Sequence, residues 1–209
     1  MQGAFIPGRN IQDNLMLTQQ MIHYHNTTGR GAGLLFLDYA HAYDYVSQDY
    51  IITVLETMNF PSALISLIAL SMSDQTGRVI VNGDLTDSFR VGNGGKQGDP
   101  LFPYIYILAL EGLTAQLELM RDQGEYSGVK APDGLTTIST MGYADDTVIA
   151  LCSEDDILPV ERALDLFCRA SGHEVKPAKS TLMWLGSHRN NNKHKQVAGV
   201  KPIKGKDTF

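Results

Sequence analysis

Residues 136–152 read TTISTMGYADDTVIALC, a stretch in which two adjacent aspartates interrupt two apolar and β-branched runs. Such runs on either side of a short polar segment are typical of a β-hairpin. Neighbouring side chains along a strand point to opposite faces, so Asp145 and Asp146 can serve one site only where a turn breaks the alternation. The stretch therefore predicts a hairpin with both carboxylates at its tip, although an ordinary acidic turn has the same pattern.

A second apolar run, GLLFLD at residues 33–38, ends in a carboxylate 107 positions before Asp145. This run is typical of a buried strand, and Asp38 would then lie at the edge of the sheet. Buried carboxylates are costly unless a positive charge compensates them, and Mg²⁺ prefers oxygen ligands. Three carboxylates brought together by the fold would suit a two-metal site, whereas Asp38 alone could simply cap the next helix.

A glycine-rich loop, GGKQGDPL at residues 94–101, is the third segment whose residues could take part in binding or catalysis. Its glycines would allow the backbone to approach a ligand closely, with Lys96 as a cation for phosphate and Gln97 as an amide donor. The alternative is a structural lead into a helix whose first turn is set by Pro100, with Asp99 as its cap.

The rest of the chain predicts helices separated by short strands. Asn10 and Gly29 are start and stop signals for a first helix with Ile11, Leu15 and Ile22 on its apolar face. Further helices are predicted over residues 48–58, 61–72, from Pro100 onward, and from a Ser153–Asp156 capping box to Gly172, with strands over residues 78–82, 87–91 and 181–185. This order favours an α+β fold, an antiparallel sheet backed by helices, over a doubly wound parallel sheet.

Composition and charge narrow the class of protein. The chain of 209 residues is 43% hydrophobic and 19% charged, as in a globular protein, and it has neither an apolar run of bilayer length nor a secretory signal. No membrane partner is therefore expected. Residues 1–168 carry a net charge of −13 and residues 169–209 carry +7, which favours a basic strip for a polyanion or a solvated tail.

Four segments in one order carry a family resemblance: LLFLDYAHAYDYV, GGKQGDPLFP, GYADD and ASGHEVKPAKS. Together they resemble the palm of a reverse transcriptase, and the opening GAFIPGRNIQDN resembles the segment before that palm in LINE-type, non-LTR retrotransposons. The resemblance implies a polymerase palm with a ferredoxin-like (RRM-like) core and a remnant of the fingers at the N-terminus. It assigns residues 1–186 to this palm and leaves residues 187–209 as a basic, flexible tail towards a thumb.

The resemblance also implies a catalytic centre. Asp38 and Asp145 would hold two Mg²⁺ ions, or Mn²⁺ in their place, and Asp146 would support them. Tyr43 would be the aromatic gate that excludes a ribose 2′-hydroxyl, or a core aromatic, or both. Tyr143 would pack under the primer end.

Other site residues follow from the same resemblance. Gln97 and Gly98 would contact the incoming nucleotide. Arg9 matches a basic position of the opening segment and is counted with the nucleotide-binding residues. Lys179 would protonate the leaving pyrophosphate, although a solvated surface lysine is the alternative. The implied partners are an RNA template, a DNA primer and deoxynucleoside triphosphates, in the cytoplasm or at nuclear DNA.

Departures from the family pattern leave other interpretations open. His41, Lys96 and Phe102 stand where lysine, arginine and serine are usual, and no full fingers, thumb, endonuclease or RNase H segment is seen. We therefore expect a fragment of a polyprotein with weak or no polymerase activity alone. The alternatives are an inactive remnant, a nucleic-acid-binding module, or a palm that cyclises or condenses nucleotides.

Overall fold

The computed structural model describes residues 2–96, 98–189 and 196–203. Its helices are α1 (Ile11–Thr28), α2 (Ala42–Tyr45), α3 (Gln48–Thr57), α4 (Ser62–Met72), α5 (Phe102–Asp122) and α6 (Ile157–Ser171). Its strands are β1 (Ala32–Leu37), β2 (Thr76–Gly77), β3 (Ile80–Val81), β4 (Asp84–Leu85), β5 (Phe89–Arg90), β6 (Val129–Lys130), β7 (Thr137–Ile138), β8 (Thr140–Tyr143), β9 (Asp146–Leu151) and β10 (Thr181–Leu185). None of these helices is long and apolar enough to cross a bilayer.

The central sheet has the strand order β10-β1-β9-β8, and all of its neighbours are antiparallel. The hairpin expected around the paired aspartates is confirmed, because β8 pairs with β9 and Tyr143 lies opposite Asp146. Strand β1 lies between β9 and β10. The mixed α/β architecture with antiparallel sheets is thus the one expected from the sequence.

Both faces of the central sheet are covered. Leu35 and Ile149 point to a large core shared with α3, α4, α5 and α6, whereas their neighbours Leu34 and Ala150 point to a smaller core that includes Met21 of α1. Alternation along each strand produces the two faces, and each fully buried leucine contributes about 1.5–3 kcal/mol. With both faces packed, the ends of the strands are where polar side chains can gather.

Helix α1 begins and ends as expected, but its buried face differs. Asn10 forms a capping box at the start, and Gly29 ends the helix in the left-handed conformation. Ile11 and Leu15, expected to be buried, are 52% and 55% exposed, and Met21 is fully buried.

The stripe of α1 that faces the sheet mixes apolar and polar side chains, with Met21, Leu17 and Ile22 packed in or against the smaller core. Asn14 donates to the Gly142 carbonyl, Thr18 lies against Met141, and His25 is buried. An apolar periodicity could not reveal a face built from these residues.

Two expected caps are wrong. The Asp156 carboxylate does not close a capping box with Ser153, because it accepts hydrogen bonds from the N–H groups of Cys152 and Ser127 at 2.6 and 2.8 Å. Helix α5 begins at Phe102, so Pro103 rather than Pro100 occupies its first turn. Asp99 does not cap α5, because Leu101 is the N-cap and no side chain caps the helix. The Asp99 carboxylate instead accepts from the Leu101 N–H at 2.8 Å, one residue before the helix.

The strands expected over residues 78–82 and 87–91 are shorter than predicted. Strand β2 pairs with β5, and β3 pairs with β4 around a turn at Asn82 and Gly83. The hairpin signal is therefore confirmed at its tip.

The C-terminal segment, expected to be flexible over residues 187–209, packs where it is described. Val197 and Val200 are fully buried in the large core, and Pro202 bridges to Leu182 of β10. The described residues 196–203 thus pack against the core, and a flexible tail stays a prediction. Residues 190–195 and 204–209 lie outside the described residues.

Candidate active site

Three aspartates lie at one end of the central sheet. Leu37 pairs with Thr147, so the next pair in the same antiparallel register is Asp38 and Asp146. Asp38 is fixed through its backbone, whose N–H donates to Ser180 Oγ at 3.0 Å and whose carbonyl accepts from the Lys176 N–H at 2.8 Å. The fold thus brings the end of β1, with Asp38, next to the hairpin that carries Asp145 and Asp146.

The paired aspartates lie on a tight turn. Ala144 and Asp145 form a two-residue loop between β8 and β9, and Ala144 has a φ of +54°. This left-handed residue breaks the alternation of the strand, as the sequence required for two adjacent carboxylates at one site. Both backbone groups of Ala144 are hydrogen-bonded by the Gln2 side chain.

The Asp146 carboxyl is affected by its burial and by its negatively charged neighbours. Burial, followed by the charges of Asp145 and Asp38, raises the pKa of the Asp146 carboxyl above its ordinary value. Ion pairs of the described residues include Arg90 with Asp74, Arg121 with Asp122 and Arg169 with Asp165, and these three pairs do not involve the aspartate cluster.

The three carboxylates suit a divalent cation in donor type and in charge. Carboxylate oxygens are the ligands that Mg²⁺ and Mn²⁺ take up. Among the described residues, no three His, Cys, Asp or Glu side chains are already drawn together as a metal cluster. The residues present therefore fit such an ion by their chemistry.

Tyr43 lies beside this cluster on α2. Its ring stacks on Tyr106 of α5 with centroids 4.4 Å apart, and it is half-buried. Burial and then the Asp145 charge raise the pKa of the Tyr43 phenol. Tyr43 is thus a core aromatic on one side and borders the carboxylates on the other.

Tyr106 takes part in a buried network of hydrogen bonds with His173 and Ser171. Tyr106 Oη lies 3.1 Å from His173 Nε2, and His173 Nδ1 lies 2.9 Å from Ser171 Oγ. Burial lowers the pKa of the His173 imidazole to about 4, so the ring is neutral at pH 7.

A cleft of about 240 Å³ opens between Tyr43 and the glycine-rich loop, and Gly98 lines it. The loop therefore lies beside the tyrosine, as a nucleotide site would require. Gln97 lies outside the described residues. Gly94 approaches the chain itself and not an open cleft, because a Cβ there would lie 2.5 Å from the Tyr43 carbonyl oxygen.

The two basic residues expected at the site have different surroundings. Lys179 is exposed on the turn that follows Lys176, the residue bonded to the Asp38 carbonyl. Arg9 donates from its guanidinium to the Gln2 carbonyl at 2.5 Å. Lys179 is thus near the carboxylate edge, and Arg9 ties down the N-terminal segment.

Sequence reasoning missed Gln2, Tyr106 and His173. Each of these residues acts through a contact with a residue far away in the chain, and no local spacing announces it. Tyr106 and His173 had partial signals, because Tyr106 lies on the helix that follows the glycine-rich loop and His173 lies in the ASGHEVKPAKS segment.

The fold is similar to that of a telomerase from Candida tropicalis, solved in complex with a TWJ fragment of telomeric RNA. The TM-score is 0.60 at 11% identity, over 88% of this chain and 29% of that one. This likeness concerns the fold. The sequence matches the family described as reverse transcriptase (RNA-dependent DNA polymerase) over residues 1–202, and the chain belongs to this family.

Its relatives confirm the resemblance to non-LTR retrotransposons. The "Transposon TX1 uncharacterized 149 kDa protein" of Xenopus laevis is 28% identical over 186 residues, which are 89% of this chain. The "Retrovirus-related Pol polyprotein from type-1 retrotransposable element R2" of Popillia japonica is 25% identical over 169 residues, 79% of this chain. The chain spans 14% and 26% of the lengths of these two relatives.

Proposed function

We propose that this chain is the palm of an RNA-directed DNA polymerase, part of a retrotransposon polyprotein, which adds deoxynucleotides to a primer 3′-hydroxyl with two Mg²⁺ ions. The observation that carries the proposal is the meeting of Asp38 with Asp145 and Asp146 at one end of the sheet. Burial of Asp146 and the negative charges of its two neighbours support a cation as a counter-charge at this edge.

Asp38 and Asp145 would hold the ions, with Asp146 in support. When bound, Mg²⁺ would neutralise phosphate charge and polarise the attacking and leaving oxygens. The protein's own contribution is position: β1 and the β8–β9 turn hold the carboxylates from rigid strands, so that little reorganisation is needed at the moment of reaction.

The cleft beside Tyr43 would hold the incoming deoxynucleoside triphosphate. Its sugar would rest against the Tyr43 ring, which would leave no room for a ribose 2′-hydroxyl. Gly98 also lines the cleft, and because it has no side chain, its backbone would be accessible to the nucleotide. Gln97 would bond the nucleotide. Lys179, exposed near the Asp38 edge, would donate a proton to the pyrophosphate as it leaves.

The primer and the template would lie across the carboxylate edge. Tyr143 is the last residue of β8, and it would pack under the primer end. The RNA template would be read by base pairing, so the protein needs no contacts to base edges. Arg9 would act indirectly on the site, through its bond to the Gln2 carbonyl.

Incorporation of labelled dTTP on poly(rA)/oligo(dT) tests this function. We expect weak, Mg²⁺-dependent incorporation by the wild-type chain and none by Asp145→Asn, because the variant loses a metal-binding charge. Equal incorporation by the two proteins would contradict the proposal. A folded chain that binds the primer and template without incorporation would instead be a binding module that uses its basic C-terminal region.

A further inference from the structure

The side chain of Gln2 is buried beneath the turn that carries the paired aspartates. It is 7% exposed and lies 142 positions from Ala144 in the sequence. Its Oε1 accepts hydrogen bonds from the N–H groups of Ala144, Gly3 and Ala4, each at 3.0 Å. Its Nε2 donates to the Ala144 carbonyl at 3.2 Å. One carboxamide therefore satisfies both backbone groups of Ala144.

Ala144 needs such support. Its φ of +54° lies in the left-handed region, where the Cβ of an L-residue is crowded. A residue in this region persists when its surroundings determine its conformation. The two hydrogen bonds with Gln2 involve the N–H and the carbonyl of Ala144, which lie on either side of its Cα. They therefore favour the left-handed conformation of this residue.

Gln2 is itself held firmly against β8. Its backbone forms a parallel bridge with Gly142, and the Gly3 N–H donates to the Gly142 carbonyl at 2.8 Å. Arg9 donates to the Gln2 carbonyl at 2.5 Å. The approach is close, because a Cβ on Gly142 would lie 3.2 Å from Gln2 Nε2. The N-terminal segment thus forms a brace on the hairpin.

We propose that Gln2 is a positioning residue that holds Ala144 in the left-handed conformation and so sets the direction of the Asp145 carboxylate. Asp145 follows Ala144 directly, so a change in the dihedral angles of Ala144 would swing this carboxylate away from Asp38. Gln2 contacts no reacting group. Its effect on catalysis rests on the proposed function, whereas its effect on the turn does not.

Gln2→Met tests the brace, since methionine matches glutamine in length and lacks the amide. Gln12→Met is the matched control, because Gln12 is exposed on α1. We expect the Ala144 amide proton of the full chain to exchange with solvent at least about tenfold faster in Gln2→Met and unchanged in the control. An unchanged rate in Gln2→Met would overturn the proposal.

Steady-state incorporation of dTTP separates positioning from general stability. In Gln2→Met we expect kcat to fall about tenfold while KM for dTTP changes by less than about threefold, because the nucleotide cleft is untouched. A fall confined to thermal stability, with kcat intact, would show a structural contact only and would contradict the proposed role.

Ala144→Gly provides a rescue, because glycine adopts a positive φ without support. In this background we expect Gln2→Met to lower kcat by about threefold or less. An equal loss in both backgrounds would contradict the proposal.

Failure of the proposed function has a separate signature. A wild-type chain that incorporates no dTTP would refute polymerase activity of this chain, and a catalytic role of Gln2 in it, but not its reverse-transcriptase fold. The exchange rate of the Ala144 amide would still decide whether Gln2 holds the turn.

Discussion

Gly94 packs against the backbone of α2 at a distance that only glycine permits. Its φ is +70°, its N–H donates to the Val46 carbonyl, and an added Cβ would lie 2.7 Å from the Asp44 Cα. This contact fixes the glycine-rich loop beside Tyr43. Gly94, which the sequence suggested as a point of close approach to a ligand, therefore packs against the protein itself and shapes the cleft.

Gly94→Ala should destabilise the protein by about 2–4 kcal/mol, since the methyl group meets backbone atoms as well as a strained φ. Gly83→Ala is the control: it also has a positive φ, +95°, but faces open space, and should cost about 1–2 kcal/mol. Urea denaturation measures both. Equal losses would show that the contact with α2 is unimportant.

His173 predicts a pH dependence of stability. The folded-state pKa of about 4 lies below the ordinary value of 6.5, so the unfolded chain binds the proton first as the pH falls. The free energy of unfolding should therefore decrease from about pH 6.5 to about pH 4, by up to about 3 kcal/mol from this residue.

The paired substitution Tyr106→Phe with His173→Leu should remove this part of the pH dependence without leaving an unpaired hydroxyl. His23→Leu changes an exposed histidine on α1 and should leave the dependence as it is. Chemical denaturation at several pH values provides the comparison. A steep acid loss that persists in the paired variant would assign it to other groups.

At the scale of elements, Asp156 joins the start of α6 to the segment after α5. Its buried carboxylate accepts from the Cys152 and Ser127 N–H groups. Asp156→Ala leaves both donors without this acceptor and should cost about 3 kcal/mol. Asp155→Ala, on the exposed side of the same turn, should cost less than about 1 kcal/mol. Thermal unfolding distinguishes them, and similar losses would contradict this role of Asp156.

The elements were predictable to the extent that local patterns determine them. Strand β1, the hairpin tip at Asp145 and the caps at Asn10 and Gly29 follow from alternation and from backbone preferences. The buried face of α1 could not be predicted in the same way, because it includes the polar residues Asn14 and Thr18. Their side chains form hydrogen bonds, and Asn14 and Thr18 contact β8. Polar packing leaves no periodic signature.

At the scale of the whole molecule, the site depends on contacts between distant parts of the chain. The order of motifs was sufficient to group Asp38 with Asp145, and the register of β1 with β9 accounts for their proximity. The brace by Gln2 and the support of Tyr43 by Tyr106 were not predictable, because each is a single contact fixed by the fold.

The proposed divalent-ion site at the carboxylate edge is tested most directly by titrating the full chain with Mn²⁺. Water-proton relaxation measures the binding. The wild-type chain should bind Mn²⁺, and Asp38→Asn and Asp145→Asn should each weaken binding at least about tenfold. Asp87→Asn, on the exposed hairpin, should have no effect. Equal Mn²⁺ affinities for the wild-type chain and Asp145→Asn would contradict the account.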